Sequence, residues 1–359
     1  MKKTVLHQRH VQVNAKMADF QGWQMPFLFT DVQDEYHAVR TAAGLFDVGC
    51  LGRIEITGAG APALLQKTFT RDALKFPEGS AAYGLFCNES GFVLDNSLLF
   101  HLPADGRYLL CTNAANTGKI LSWLKKHAGR DVRIDDTTMA TAQLALQGPR
   151  STHILDKLTD HQMKKMKPKT LRNMPFQDTT IIVSRTGYTG ELGYELFAPA
   201  AHAERLWNAL WEAGRDTGLL ACGFGSRDLL RLEMGYHNGS DLDETRTPLE
   251  AGLGACIDFK KDFIGREALQ KLKEHGVKQK FIGFELFDKG IPKSGNSIYS
   301  ENREIGVVTS GNHSPHCRKD IGLGYVETRY AKAGQEIEIE VKDREIAAKV
   351  VELPFYRKK

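Results

Sequence analysis

Residues 185–195, Arg-Thr-Gly-Tyr-Thr-Gly-Glu-Leu-Gly-Tyr-Glu, set glycines at 187, 190 and 193 among Tyr188, Glu191, Tyr194 and Glu195, directly after the apolar run Ile181-Ile182-Val183. A β-branched run feeding such a loop predicts a strand whose end brings backbone close to a flat ligand, as a pocket wall. Taken alone, the stretch reads equally well as a glycine-rich hairpin with exposed Tyr and Glu. Arg227 and Arg231 are four apart on the helix that Gly223-Phe224-Gly225-Ser226-Arg227-Asp228 opens. On one helical face they could present a cationic edge to an anion, or form ordinary Arg–carboxylate bridges. His313, His316 and Cys317 crowd around Pro315 without a distant cluster to complete a zinc set, so no metal centre is expected. The acidic loop 241–250 lacks the glycine and the terminal glutamate spacing of a calcium loop and is rejected as one.

Periodicity supplies the elements that would position these groups. The Gly/Pro-punctuated aromatic segment 20–26 reads as a packed loop. Thr30 and Gln33 predict a capping box, with Val32, Tyr36, Val39 and Ala43 on one helical face and Gly44 ending the helix. Ile54 and Ile56 share one face of a strand, and 83–87, 92–100 and 107–112 read as a three-stranded meander. A helix with Ile120, Leu121 and Leu124 on its apolar side follows, then a strand over 141–147. In the helix over 200–214, the spacing of Leu206, Trp207, Leu210 and Trp211 is that of core packing rather than ligand stacking. A charged helix over 266–275 precedes a change of character at 281, after which alternation such as Ile337, Ile339 and Val341 between glutamates predicts a small all-β domain.

With 359 residues, 42% of them hydrophobic, the chain is long enough for two or three folded domains. Its 48 basic and 44 acidic residues are interleaved, which argues against a polyanion groove and hence against nucleic acid. Six scattered cysteines without CxxC pairs, no apolar run of membrane-spanning length and no signal-peptide core lead to the expectation of a reduced, cytoplasmic protein that engages no membrane.

Several segments occur together in one order: Phe20-x-Gly-Trp-x-Met-Pro26, Phe46-Asp47-Val48, Cys87-Asn88-Glu89, Arg185-Thr-Gly-Tyr-Thr-Gly-Glu191, Ser226-Arg227-Asp228-x-x-Arg-Leu-Glu233, Thr247-Pro-Leu-Glu-Ala-Gly252 and Val308-Thr-Ser-Gly-Asn312. In that set the chain resembles, over essentially its full length, the glycine cleavage T-protein family of tetrahydrofolate-dependent aminomethyltransferases. The resemblance implies an α+β fold of three domains in a cloverleaf around a central folate channel, with a C-terminal all-β, barrel-like domain. The expected boundaries are 1–52 with 138–258 for a split first domain, 53–137 for an inserted one, 259–280 for a connecting helix and linker, and 281–359 for the β-domain.

The same resemblance implies that Glu195 accepts hydrogen bonds from the pterin's amino and ring N–H groups, chemistry a carboxylate fits. It places Tyr83 and Tyr188 beside the pterin, Asn113 as a polar contact and Arg227 as a cation in the channel, with Tyr188 and Arg227 also in the catalytic group. Cys50 and Leu51 would line the channel, Cys50 either as a thiol or as a small buried filler. A lipoylated H-protein would be the partner of a monomeric chain.

One catalytic position departs from the family. Its Gly-Gly-x-x-Asp-Asp motif stands here as Gly91-Phe92-Val93-Leu94-Asp95-Asn96, so the critical second carboxylate is the neutral amide of Asn96. An amide neither takes a proton nor balances a developing cation, a loss on the order of 10²- to 10⁴-fold where acid–base catalysis is at stake. Alternation along a strand predicts that Asp95 faces away and cannot replace it. Further changes gather nearby: Gly49-Cys50-Leu51 for the usual Ser-His-Met, Gly84 for a common Ser, and Phe92 for the second Gly. The implied reaction is aminomethyl transfer from H-protein to tetrahydrofolate with release of ammonia. The alternatives are a folate-dependent methyltransferase or demethylase with another donor, and a non-catalytic folate-binding or regulatory protein.

Overall fold

The computed structural model describes residues 1–103, 106–159 and 163–358. The chain divides into two compact units, one of residues 1–86 and 95–227, the other of residues 87–94 and 228–359.

The first unit is built on two sheets. A six-stranded sheet runs in the order Leu171–Phe176, Thr179–Ser184, Gly193–Pro199, Thr141–Gln147, Ala43–Asp47 and Leu219–Cys222. Its neighbours are antiparallel except the last pair, which is parallel. The inner strands are buried along nearly their whole length, which is why they read as continuous apolar runs rather than alternating ones. The helix Ala203–Gly214 lays Leu206, Trp207 and Leu210 into a core shared with Leu144, Leu146 and Leu196. Trp211 does not join it: the ring is 39% exposed, a correction to the spacing argument.

The second sheet is five-stranded, in the order Ser80–Cys87, Val93–His101, Tyr108–Thr112, Gly52–Thr57 and Arg133–Asp136, with Ile54 and Ile56 both fully buried. The helix Thr117–His127 buries Ile120 and Leu124. At Gly84 of this sheet a Cβ would stand 2.5 Å from the Phe69 ring and 2.8 Å from the stem of Arg71, so the glycine is what lets that ring pack on the strand.

Two local expectations change. The helix after residue 30 spans Val32–Thr41, and its cap is Asp31, whose carboxylate accepts the Gln33 N–H at 2.7 Å. A carboxylate one residue closer displaces the Thr30–Gln33 box, and Glu35 takes the Phe29 and Thr30 N–H groups at 2.6 and 3.2 Å. The helix also stops earlier, because Ala43 and Gly44 belong to the strand Ala43–Asp47, where cross-strand pairing outweighs their helical spacing.

The second unit ends in a closed barrel in the order Gln279–Leu286, Lys319–Glu327, Arg303–Ser314, Ser297–Ser300, Glu336–Glu340 and Glu345–Val351. Alternation works here as read: Ile337 and Ile339 enter a core with Phe284, Ile298 and Val350 while the intervening glutamates stay outside. The acidic loop proves structural. Arg231 is 2% exposed and bonded to the buried Asp241, to Ser310 at 2.9 Å and to Asp228 at 2.7 Å. It is an internal bridge, so the cationic-edge reading fails for Arg231. His313 pairs with Asp320 at 2.7 Å. No helix among the described residues is long and apolar enough to cross a membrane.

Removing Arg231 strands a buried carboxylate, so Arg231→Ala should lower unfolding free energy by about 3–5 kcal/mol. Urea unfolding of the variant checks this; a loss below about 1 kcal/mol would show that Asp241 finds another partner.

Candidate functional site

The glycine-rich loop is pinned to its own scaffold. Cβ atoms at Gly187 and Gly193 would lie 2.1 and 2.3 Å from the Gln147 side chain, and Gln147 Nε2 donates to the Thr186 and Tyr194 carbonyls at 3.2 and 3.3 Å. Thr189 Oγ1 donates to Gln147 Oε1 at 3.0 Å, and Arg40 holds the Thr189 carbonyl at 2.7 Å and the Glu191 carboxylate at 3.2 Å. Two of the three glycines therefore make room for a glutamine rather than for a ligand, which corrects the backbone-against-ligand expectation. What the loop delivers is two side chains, Tyr188 and Glu195.

Glu195 is 9% exposed and sits on the inner strand Gly193–Pro199. Its carboxylate accepts from Gln143 Nε2 at 3.0 Å and from Thr186 Oγ1. Two neutral donors fix the group and leave acceptor capacity for an N–H ligand. Cys111 Sγ, on the strand Tyr108–Thr112, reaches Gln143 Oε1 at 3.9 Å, and Asn113, two residues on, belongs to a second cluster.

That cluster is a chain of side chains from Tyr83 to Asn116. Asn96 Nδ2 donates to Tyr83 Oη at 3.1 Å, while Asn113 Nδ2 donates to Asn96 Oδ1 at 2.9 Å and to Asp95 Oδ1 at 2.8 Å. Asn116 Nδ2 and Ser97 Oγ complete the Asp95 shell at 2.7 and 2.6 Å, with the Asn113 N–H at 3.3 Å. Alternation holds in that Asp95 is 2% exposed and Asn96 is half-buried. Isolation does not follow, because Asn113 at the end of the next strand bonds both neighbours. Burial pushes the Asp95 carboxyl above its ordinary value, against the pull of Ser97, Asn113 and Asn116.

Arg227 forms the third group. Its guanidinium lies 4.4 Å from the Tyr188 ring centroid and 5.4 Å from that of Phe224, which packs on Phe20 at 4.0 Å. Its helix, Phe224–Glu233, is anchored by the buried Glu35, which accepts from the Gly223 N–H at 2.8 Å and from Ser226 Oγ at 2.9 Å. Cys50 lies under this group with Trp23, Met25, Ala114 and Phe224. It is fully buried, and burial followed by the charge of Asp47 pushes its thiol up to about 12, with Arg227 and Arg53 pulling the other way. Cys50 is thus a space-filling residue and lines no open surface. Leu51 is half-buried, its carbonyl held by the buried Arg53.

The arrangement offers a fixed carboxylate for N–H donors, an aromatic face under a cation, and a neutral amide chain with a carboxylate behind it. Tyr83, Asn96 and Asn113 meet directly, as do Tyr188 and Arg227, and Glu195 is held by Gln143 and Thr186. Sequence reasoning missed Gln143, Thr186, Glu35 and the bonding of Asp95. Only Asp95, a carboxylate inside an apolar strand, carried a signal.

Residues 6–261 match the family description "GCVT N-terminal domain" and residues 279–357 match "Glycine cleavage T-protein C-terminal barrel domain". Among curated relatives, the aminomethyltransferase of Halalkalibacterium halodurans is 41% identical over 361 residues, covering 100% of this chain and 99% of its own length. That of Geobacillus thermodenitrificans is 41% identical over 362 residues with the same coverage. The crystal structure of the glycine cleavage system aminomethyltransferase T from Bartonella henselae superposes with a TM-score of 0.92 at 29% identity, covering 99% of this chain and 98% of that one.

The Cys50 and Cys87 thiols are both raised to about 12 by burial. Iodoacetamide at pH 8 should therefore leave both unmodified in the folded protein and label them after denaturation, as peptide mass mapping would show. Rapid native labelling of Cys50 would contradict its burial.

Proposed function

The chain belongs to the glycine cleavage T-protein family, and from that premise we propose that it is an aminomethyltransferase, moving the one-carbon unit of an aminomethyl-lipoyl H-protein to tetrahydrofolate with release of ammonia. The observation that carries the reading is the Glu195 carboxylate, buried, fixed by Gln143 and Thr186, and still able to accept. This is the chemistry that recognises the adjacent N–H donors of a reduced pterin. Tyr188 offers a ring face beneath a cation, and Tyr83, Asn96 and Asn113 offer polar contacts, so the residues present fit such a ligand. When bound, tetrahydrofolate supplies the nucleophilic amine that accepts the one-carbon unit.

The protein's own part is to bind, orient and polarise. Glu195 fixes the ring by its edge, and Arg227 contributes positive charge beside Tyr188. Asn96 orients through its N–H groups but cannot take up a proton, because an amide has no basic site and its carbonyl already accepts from Asn113. Acid–base help is therefore missing at position 96, and positioning and electrostatics carry the reaction. That same missing base is the observation favouring a second reading, direct methyl transfer from another donor, which needs no residue to help expel ammonia.

Glu195→Gln should weaken tetrahydrofolate binding by roughly 10- to 100-fold, since one charge-assisted acceptor is replaced by an amide. Titration calorimetry checks it, and an unchanged affinity would move the pterin away from Glu195. Asn96→Asp should raise the rate of ammonia release from aminomethyl-lipoyl H-protein by about 10²-fold or more. A variant that binds tetrahydrofolate and is silent with that donor would favour the methyl-transfer reading.

A further inference from the structure

We infer that Asp95 is a positioning residue that sets the hydrogen-bond polarity of the site, forcing Asn96 to present N–H rather than C=O to the substrate. The inference rests on the folate-dependent reading and deepens it by stating what the group beside Asn96 must be.

An amide side chain can be turned end for end at little steric cost, so its orientation is decided by its neighbours. An ionised carboxylate only accepts. Asp95 takes the Asn113 side-chain amide at 2.8 Å and the Asn116 amide at 2.7 Å on one oxygen, and Ser97 Oγ at 2.6 Å on the other. The Asn113 nitrogen is thereby fixed toward Asp95, and the same nitrogen is the atom 2.9 Å from the Asn96 side chain. Asn96 must therefore turn its oxygen to Asn113 and its nitrogen to Tyr83, 3.1 Å away. Among the described residues no protein group takes the second N–H of Asn96. The site thus offers a donor at the position where its family offers a carboxylate. The matching substrate group is a lone-pair bearer, an amine nitrogen without its proton or a carbonyl or carboxylate oxygen.

Protonating Asp95 would weaken this. The proton goes to Oδ2 and is donated to Ser97 Oγ, so the backbone N–H of Asn113, 3.3 Å away, loses its acceptor, and Oδ1 holds the Asn113 and Asn116 amides without its charge. The groups facing Asp95 are Ser97 on its own strand, and Asn113 and Asn116 beyond the next one, all neutral. Tyr83 on the strand Ser80–Cys87 closes the chain, and Arg71 packs on Gly84 of that strand. Because burial holds the Asp95 carboxyl above its ordinary value, the charge-assisted hold on Asn113 is present above that raised value and weakens as pH falls through it.

The test combines turnover with a readout that needs none. In protein labelled with ¹⁵N-asparagine, the side-chain amide resonances of Asn96 and Asn113 should shift together during an acid titration of the ligand-free chain. In Asp95→Asn, a near-isosteric change, they should start from different positions and show no such titration. With tetrahydrofolate and the aminomethyl donor, kcat of Asp95→Asn should fall about 10-fold with KM nearly unchanged, and the acid limb of the pH profile should vanish. Ser97→Ala removes one donor from Asp95 and should move the limb and the resonance titration to higher pH, and it serves as the test where Asp95→Asn does not fold. Amide resonances that ignore both substitutions overturn the inference. Coupled resonances in a chain without turnover would uphold it and count instead against the aminomethyl-transfer reading.

Discussion

A buried carboxylate is a fixed point for every amide around it, because it can accept hydrogen bonds and never donate them. Asp95 is such a point, and from it the directions of Asn113, Asn116 and Asn96 follow in sequence to Tyr83. The cost of holding that charge away from water is met by four donors converging from two segments of the fold. Glu195 follows the same logic with fewer donors, Gln143 and Thr186, and so retains acceptor capacity for a ligand. The two carboxylates differ for that reason: Asp95 is saturated and organises the amides around it, while Glu195 keeps acceptor capacity.

The scaffold around them is arranged to keep these groups still. Glu35 holds the start of the helix that carries Arg227, Gln147 fills the space under the glycine-rich loop, and Arg53 grips the carbonyls around Cys50. None of the three needs to touch a ligand. Glu35 and Gln147 fix backbone segments that carry the candidate-site side chains Arg227 and Tyr188, and Arg53 fixes the segment that carries the buried Cys50.

Much of this was legible in the sequence, and the rest was hidden for physical reasons. The barrel announces itself by the alternation of strands such as Glu336–Glu340 and Glu345–Val351, whose one face meets a core and the other does not, and the meander by the turn residues between its β-rich runs. Ala43 and Gly44 were misread because a spacing that suits a helix says nothing about the strand partner that captures them. The glycines at 187 and 193 correctly signalled a close approach, but sequence could not say that the approaching group is Gln147, forty residues earlier in the chain for Gly187. Alternation put Asp95 and Asn96 on opposite faces, with Asp95 turned away from the site, while the bridge through Asn113 is a tertiary fact with no local signature.

At position 96 the site donates rather than accepts, because the Asn96 carbonyl is held by Asn113. The most direct measurement is the tetrahydrofolate-dependent release of ammonia from aminomethyl-lipoyl H-protein by the unmodified chain under single-turnover conditions. The account predicts slow, saturable release that requires tetrahydrofolate. Tight tetrahydrofolate binding with no ammonia released would contradict it.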